Sequence, residues 1–366
     1  MRLAYIARSE LPSESANSVH VMRMCLALLD AGADVRLFAL KGGTGDSSPE
    51  GLARYYGARR PVPMQLYDRS NPFTGGGWRM RAVLSARLAR RSVLTRDIHV
   101  AVIAARFGIS TVLELHHAPH KGSRGERDLG RALAKGVRIV TITSALADHI
   151  AGHWPVSREH IAVLQDGADV VGSITPEGTL DRGRPVAGYV GSLLPGKGAE
   201  LVCELAGLVP EADVVVIGGP EKRRLELAHG APANLRVLPR VSPSSVAAQI
   251  AALDVALLPN ARNVSAEGGA DIGAWTSPLK AFEYMALGRA ILASDLPNLR
   301  EVFEDGRNAL LCPPDEPEVW AQRLRDLLSD ETLRSALGAA AKSDLERNYS
   351  WAVRARKMLE LMSAAP

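Results

Sequence analysis

Between Trp275 and Asp295 the sequence reads WTSPLKAFEYMALGRAILASD, and its first half has the make-up of an anion-binding helix start. Ser277 is a residue type that caps helices, and Pro278 suits the first helical position, where a missing N–H costs nothing. The amides of Leu279 and Lys280 would then point out of the positive end of the helix dipole, and Lys280 adds a full charge. Glu283, six residues past the cap on the same helix, is placed to accept hydrogen bonds from vicinal hydroxyls such as those of a ribose. A capped surface helix with a solvated Lys and Glu has the same pattern, so this segment alone leaves both readings open.

A second candidate is GSLLPGKG, residues 191–198. It leaves a strand, turns through glycines and Pro195, and opens a helix. Its glycines would let backbone approach a phosphate, which makes Gly191 and the neighbouring Ser192 diphosphate-binding candidates, with Lys197 supplying charge. It is not a Walker loop, because Gly198 stands where Ser or Thr should hold magnesium. A third is ELHHAPH, residues 114–120, which closes a strand with His116, His117 and His120 at the end where ligands sit. Apart from Glu114, no carboxylate or cysteine joins them at metal-ligand spacing, so a hydrogen-bonding histidine is preferred and no metal is expected. In the loop RSELPSESANSVH, residues 8–20, Asn17 or Ser18 would cap the first helix and offer amides to a phosphate or sugar oxygen. No GxGxxG string is present there, which weighs against a dinucleotide dehydrogenase.

The elements that must carry these loops alternate almost from end to end. Strands are expected at 2–7, 34–40, 92–97, 111–116, 136–143 and 161–166, with helices between most of them, beginning with SVHVMRMCLALLDAGA at 18–33. Residues 167–185 show no sustained period and collect Gly, Pro and charge, as a linker does. The pattern restarts with strands at 186–192, 213–219, 235–239, 254–259 and 291–295 and a helix from Gly198. This predicts an α/β chain of two doubly wound domains, 1–168 and 169–349, rather than one barrel. Open sheets of this kind bind beyond the carboxyl ends of their strands, so the ligand is expected in a cleft between the domains.

Composition narrows the class. The 366 residues suit two domains, and 46% apolar with 23% charged residues is ordinary globular composition. The net charge of +4 and 5% aromatic residues do not point to nucleic acid. Three scattered cysteines, Cys25, Cys203 and Cys312, fit neither a disulfide framework nor a four-ligand zinc site, and suit a reducing cytoplasm. No apolar run reaches the length of a membrane span, and the N-terminus does not read as a signal peptide.

Together these stretches resemble the retaining glycosyltransferases of family 4, which have the two-domain GT-B architecture. The resemblance runs over nearly the whole chain and is most specific in YVGSLLPGKG, VVVIGG, IAALDVALLP, FEYMALGRAILASDLPNLREVFEDGRNALLCPPDEPEVW and the closing YSWAVRARKMLELM. It implies that the helix start at Ser277–Lys280 binds the donor's diphosphate and that Glu283 holds the ribose hydroxyls. It further implies that Lys197 neutralises the leaving group, that His116 contacts the donor sugar, and that the final helix (about 350–366) packs back on the first domain. The first domain would then serve the acceptor and the second the nucleotide-sugar. Two positions depart from the family pattern: Ser192 stands where an Arg is usual, and Trp275 replaces the first glutamate of the E-x7-E pair. A subgroup with SPLK-type helix starts shares the second loss. Lys280 is then the replacement charge, with Glu267 or Asp271 as candidates to approach the donor sugar.

The implied mechanism needs no covalent nucleophile, no cofactor and, in agreement with the missing DxD string, no metal. The acceptor hydroxyl attacks an oxocarbenium-like centre on the leaving-group face while lysines and amides stabilise the departing phosphate. UDP is the first guess for the nucleotide, from its frequency in the family. The competing readings are a GT-B epimerase or phosphorylase, and an inactive nucleotide-sugar-binding subunit. The acceptor class turns on residues 54–96, where ten arginines face a single acid, Asp68. Such a stretch could lie on an anionic membrane. The helix at 78–91 offers few large apolar residues to insert and arginines interrupt its stripe, so a solvated face and a soluble acceptor are preferred.

Overall fold

Strands such as Val186–Val190 and Asp213–Ile217 are buried along their whole length, as near-continuous apolar runs are when helices cover both faces of a parallel sheet. The computed structural model describes residues 1–43, 45–70, 76–172, 174–176, 183–265, 273–275 and 277–364. It divides into two units, Met1–Asp166 with Trp351–Pro366, and Gly167–Ser350.

The first unit is built on β1 (Arg2–Leu11), β2 (Asp34–Lys41), β3 (Met64–Tyr67), β4 (Ser92–Thr95), β5 (Thr111–Leu115), β6 (Arg138–Thr141) and β7 (Ile161–Val163). They form one parallel sheet in the order β3-β2-β1-β4-β5-β6-β7. The second unit carries β8 (Val186–Val190), β9 (Asp213–Ile217), β10 (Leu235–Leu238), β11 (Val255–Leu258), β12 (Ala290–Ser294) and β13 (Leu310–Cys312), parallel in the order β10-β9-β8-β11-β12-β13. In each sheet the chain works outward to one edge and then crosses back to the other side of its first strand. That is the doubly wound arrangement, and the crossing point is where such sheets hold ligands.

One strand departs from expectation in a way that matters for function. β1 runs on to Leu11 rather than stopping near residue 7, because a register shift after Ile6 lets Glu10 and Leu11 pair with Leu40 and Lys41. The polar run that reads as loop in the sequence is therefore ladder, and only residues 12–15 connect β1 to the first helix, Ala16–Asp30. Ser15 caps that helix, accepting from the Ser18 N–H at 3.3 Å, so neither Asn17 nor Ser18 is the cap. The Ser18 hydroxyl is spent on the Glu10 carbonyl at 2.8 Å, which fixes the loop to the end of β1 instead of facing a ligand.

Candidate active site

In the second unit, which also carries the helix Leu279–Ala286, the crossing point lies between β8 and β11, so two stretches meet there: 191–198 after β8, and residues 259–265 after β11. They are joined by backbone. Ala261 N–H donates to the Gly196 carbonyl at 2.9 Å, and Ser265 N–H to the Pro195 carbonyl at 3.1 Å. Gly198, at φ +82°, caps the helix Ala199–Leu208, and a Cβ there would stand 1.8 Å from the Pro259 carbonyl oxygen. No other residue permits that approach.

Lys280 lies directly against the end of β8. A Cβ on Gly191 would fall 1.7 Å from Lys280 Cε, so the lysine stem occupies the space that glycine leaves. Its Nζ sits 5.4 Å from the centroid of the Tyr189 ring. The Tyr189 hydroxyl donates to the Ser192 carbonyl at 2.6 Å, and the Tyr284 hydroxyl accepts from Val190 N–H at 3.0 Å. These contacts hold the loop and the helix start in one arrangement. Burial first, and then the nearby charge of Lys280, bring the Lys197 ammonium down to about 7. Burial likewise lowers Lys280, against the opposing pull of Glu283. Two ammonium groups that burial disfavours, one of them further disfavoured by the other, are placed for an anion. Replacing Gly191 by alanine should displace Lys280 and reduce donor turnover with little change in fold, as measured by initial rates beside circular dichroism. Unchanged kinetics would show that the lysine's position is immaterial.

The cap differs from the expectation. The helix begins at Leu279, with Pro278 at the cap position (φ −76°, ψ 119°) and no side-chain cap bond, so Ser277 lies one residue outside it. The extended ψ of Pro278 makes it the last residue of the loop rather than the first of the helix. The amides of Leu279 and Lys280 still stand in the first turn, where no intrahelical acceptor exists for them. Glu283 is half-buried on the same helix. Asp271 and Glu267 lie outside the described residues. Asn260, just after β11 and 2% exposed, leaves its side-chain N–H group without a partner among the described residues.

Beside this point the structure has a cavity of about 350 Å³ at the carboxyl ends of β8, β9 and β10, lined by Ser192, Leu193, Leu194, Pro195, Pro220, Arg223 and Arg240. Sequence reasoning missed this cavity, because its walls come from three loops that are adjacent only once the strand order is known.

The first unit places His116 just beyond β5, within a buried ionic network that the sequence did not reveal. His116 Nε2 lies 2.5 Å from Glu114 Oε1, and His20 bridges Glu114 (Nε2, 2.9 Å) and Asp166 (Nδ1, 2.8 Å). Arg354, from the last helix Trp351–Ser363, donates to Glu114 Oε2 at 3.0 Å and to the Gln165 carbonyl at 2.8 Å. Burial would raise the Glu114 carboxyl, but Arg354, His20 and the bond to His116 outweigh it and hold it well below the carboxylate range. Burial, then Arg96, brings His116 down to about 3, against the pull of Glu114, so the ring stays neutral at ordinary pH. With Nε2–H given to Glu114, Nδ1 is left as an acceptor. His117 and His120 are exposed and join none of this.

One ligand atom from each of His20, His116 and Asp166 lies within 4.8 Å of the others, a spacing that could hold a cation. The donor set does not suit one. His20 Nδ1 with Asp166, and His116 Nε2 with Glu114, are already hydrogen-bonded, while His20 Nε2 lies 2.9 Å from Glu114 without forming a hydrogen bond. Arg354, with Arg96 at 3.9 Å from Glu114, supplies the positive charge that the carboxylates need.

The description "Glycosyltransferase Family 4" fits residues 18–171, and "Glycosyl transferases group 1" fits residues 173–344. The chain belongs to the family 4 glycosyltransferases. Among its relatives, the D-inositol 3-phosphate glycosyltransferase of Corynebacterium efficiens is 26% identical over 253 residues, covering 63% of this chain and 56% of that protein. The phosphatidyl-myo-inositol mannosyltransferase of Mycolicibacterium smegmatis is 32% identical over 164 residues, 43% of this chain and 39% of that protein. The match thus spans little more than half the length of the first of these relatives. Among solved structures, a glycosyltransferase from Rickettsia africae superposes with a TM-score of 0.76 at 13% identity, over 99% of this chain and 98% of that one. Anabaena HepE in complex with UDP-glucose gives 0.73 at 14% identity over 100% of both. These structures share the GT-B fold, and this chain has its two parallel-sheet α/β units.

Proposed function

We propose that this glycosyltransferase moves a sugar from a nucleoside-diphosphate donor to an acceptor hydroxyl with retention at the anomeric carbon. The observation that carries the reading is the convergence of Lys197, Lys280 and the Leu279 and Lys280 amides at the β8/β11 crossing point. A diphosphate there meets two ammonium groups and the positive end of a helix. As the glycosidic bond breaks, negative charge grows on the leaving phosphate, and donors already in place stabilise it without reorganisation. The adjoining cavity, with Leu193, Leu194, Pro195 and Pro220 beside Arg240, suits the nucleoside half. UDP is the favoured base carrier, a choice supported by the UDP-glucose complex of HepE. In the first unit, the neutral Nδ1 of His116 accepts a hydroxyl of donor sugar or acceptor. The charge comes from lysines and amides, so turnover should survive chelation of divalent metal. The acceptor class includes phosphorylated polyols, the kind named for the corynebacterial relatives. The SPLK sequence at 277–280 supports reading Lys280 as the charge that stands in for the first glutamate of the family pattern.

Turnover of UDP-, GDP-, ADP- and dTDP-sugars with candidate acceptors tests the proposal, with the anomeric configuration of the product read by NMR. An inverted product overturns retention. Interconversion of donor sugars without an acceptor would make the protein an epimerase. For Glu283→Gln we expect a donor KM raised roughly ten- to a hundred-fold with kcat nearly unchanged, because ribose contacts are the same in ground and transition states. Equal affinity for a 2′,3′-dideoxy donor would remove Glu283 from the ribose.

A further inference from the structure

The helix Trp78–Leu88 has two apolar faces. Trp78, Ala82, Val83 and Ala86 are buried against the first sheet. Met80, Leu84 and Leu88, spaced i, i+4, i+8, form a separate stripe on the outside, and Leu88 is 85% exposed. Three of the six large apolar side chains exposed among the described residues are therefore on this one helix. The sequence pattern merges the two faces into one interrupted stripe, which is why it argues for a solvated surface. The structure separates them.

The charge around the stripe has one sign. No acid occurs between Asp68 and Asp97, while seven arginines do. Arg79 is neutralised by Asp97 at 2.6 Å and Arg91 by Asp34 at 3.0 Å. Among the described residues, Arg81 and Arg87 donate to backbone carbonyls, of Gly76 and Phe107. Among the described residues, no carboxylate pairs with Arg81, Arg87 or Arg90, and all three are exposed beside the stripe.

We infer that this helix face docks on an anionic lipid bilayer, with Met80, Leu84 and Leu88 in the headgroup–acyl boundary and the three arginines on lipid phosphates. Long arginine stems can lie along the apolar boundary while their heads stay with phosphate. A second copy of this chain fits less well, since pairing two such faces would bring six unpaired arginines together. Nucleic acid fits less well too, since the exposed stripe offers aliphatic side chains and no ring to stack on bases. The inference stands apart from the donor-site reading, because none of these residues belongs to the second unit.

The test is co-sedimentation of the full chain with phosphatidylcholine vesicles, with and without phosphatidylglycerol, at low and at physiological ionic strength, where screening sets in beyond about 8 Å. Binding should require phosphatidylglycerol and weaken as salt rises. Replacing Arg81, Arg87 and Arg90 together by Gln should weaken it on the order of a hundredfold, about fivefold per arginine. Leu84→Ser with Leu88→Ser should abolish the binding that remains at physiological salt. These residues make no contact with the proposed donor site, so donor affinity should be unchanged in both variants, and a variant that keeps it is folded. No sedimentation of the wild type at low salt, binding that the substitutions do not alter, or a leucine variant that changes only the oligomeric state would each overturn the inference.

Discussion

Alanine at Lys197 or Lys280 should lower kcat/KM by about 10²-fold or more, since each ammonium faces charge that grows in the transition state. Both variants retaining wild-type kinetics would place the diphosphate elsewhere. The depressed Lys197 adds a signature that simple charge removal lacks. In the ligand-free protein its proton leaves at about 7. A bound diphosphate favours the charged form and raises that value, so binding takes up a proton. Affinity should then be highest below pH 7 and fall as pH rises beyond it, by up to about tenfold per unit. Calorimetry of UDP binding in buffers of different ionisation heat measures the uptake, and it should vanish in Lys197→Ala. The same lysine works against the ligand-free fold. The unfolded chain holds the proton to about 10.5, so stability is lost below 7 and regained as pH rises from 7 toward that value. Lys197→Met should therefore raise the melting temperature of the empty protein at neutral pH while impairing donor binding.

How much of this was legible in the sequence depended on whether the signal was local. The first five strands of the second unit, the loop GSLLPGKG and the lysine at the Leu279 helix announce themselves, because a βα turn with glycines and a helix start are made by neighbours in the chain. The short edge strands Met64–Tyr67 and Leu310–Cys312 do not, since a few half-patterned residues become strand only when a neighbour offers a ladder. The Ser15 cap escaped for a related reason. Any of Ser13, Ser15, Asn17 and Ser18 is chemically able to cap, and the choice is made by where β1 ends, which its register shift against β2 decides. The network around Glu114 draws its members from residues 20, 114, 116, 166 and 354, separations that no window spans. One trace of it was present. Arg354 falls on the buried stripe of Trp351, Ala355, Met358 and Met362, and a charge on an apolar stripe calls for a partner inside.

That partner makes Arg354→Met the substitution expected to cost most in stability. Arg354 is 2% exposed and Glu114 1%, so removing the guanidinium strands a carboxylate in the interior of the first unit. Breaking such a pair costs about 3–5 kcal/mol, which for a chain with units of this size is on the order of 10 °C in melting temperature. It also frees the last helix from the Gln165 and Leu164 carbonyls that Arg354 bridges. The pH dependence separates this account from loss of packing alone. In the wild type the Glu114 carboxyl is held below its unfolded value, so its contribution is present above the ordinary carboxylate range and disappears as pH falls through the lower folded value. In the variant, burial acts without the guanidinium and raises the carboxyl, so stability falls as pH climbs through that range. The gap between the two proteins should therefore be small in acid and wide at neutral pH. Adding Glu114→Gln to Arg354→Met should recover much of the loss, because a neutral amide replaces the stranded charge. A gap independent of pH, with no rescue by the second substitution, would mean that Arg354 contributes volume rather than charge. With rescue, the same double variant shows whether the carboxylate is needed to orient His116: folded protein with reduced kcat and unchanged donor KM assigns Glu114 a positioning role.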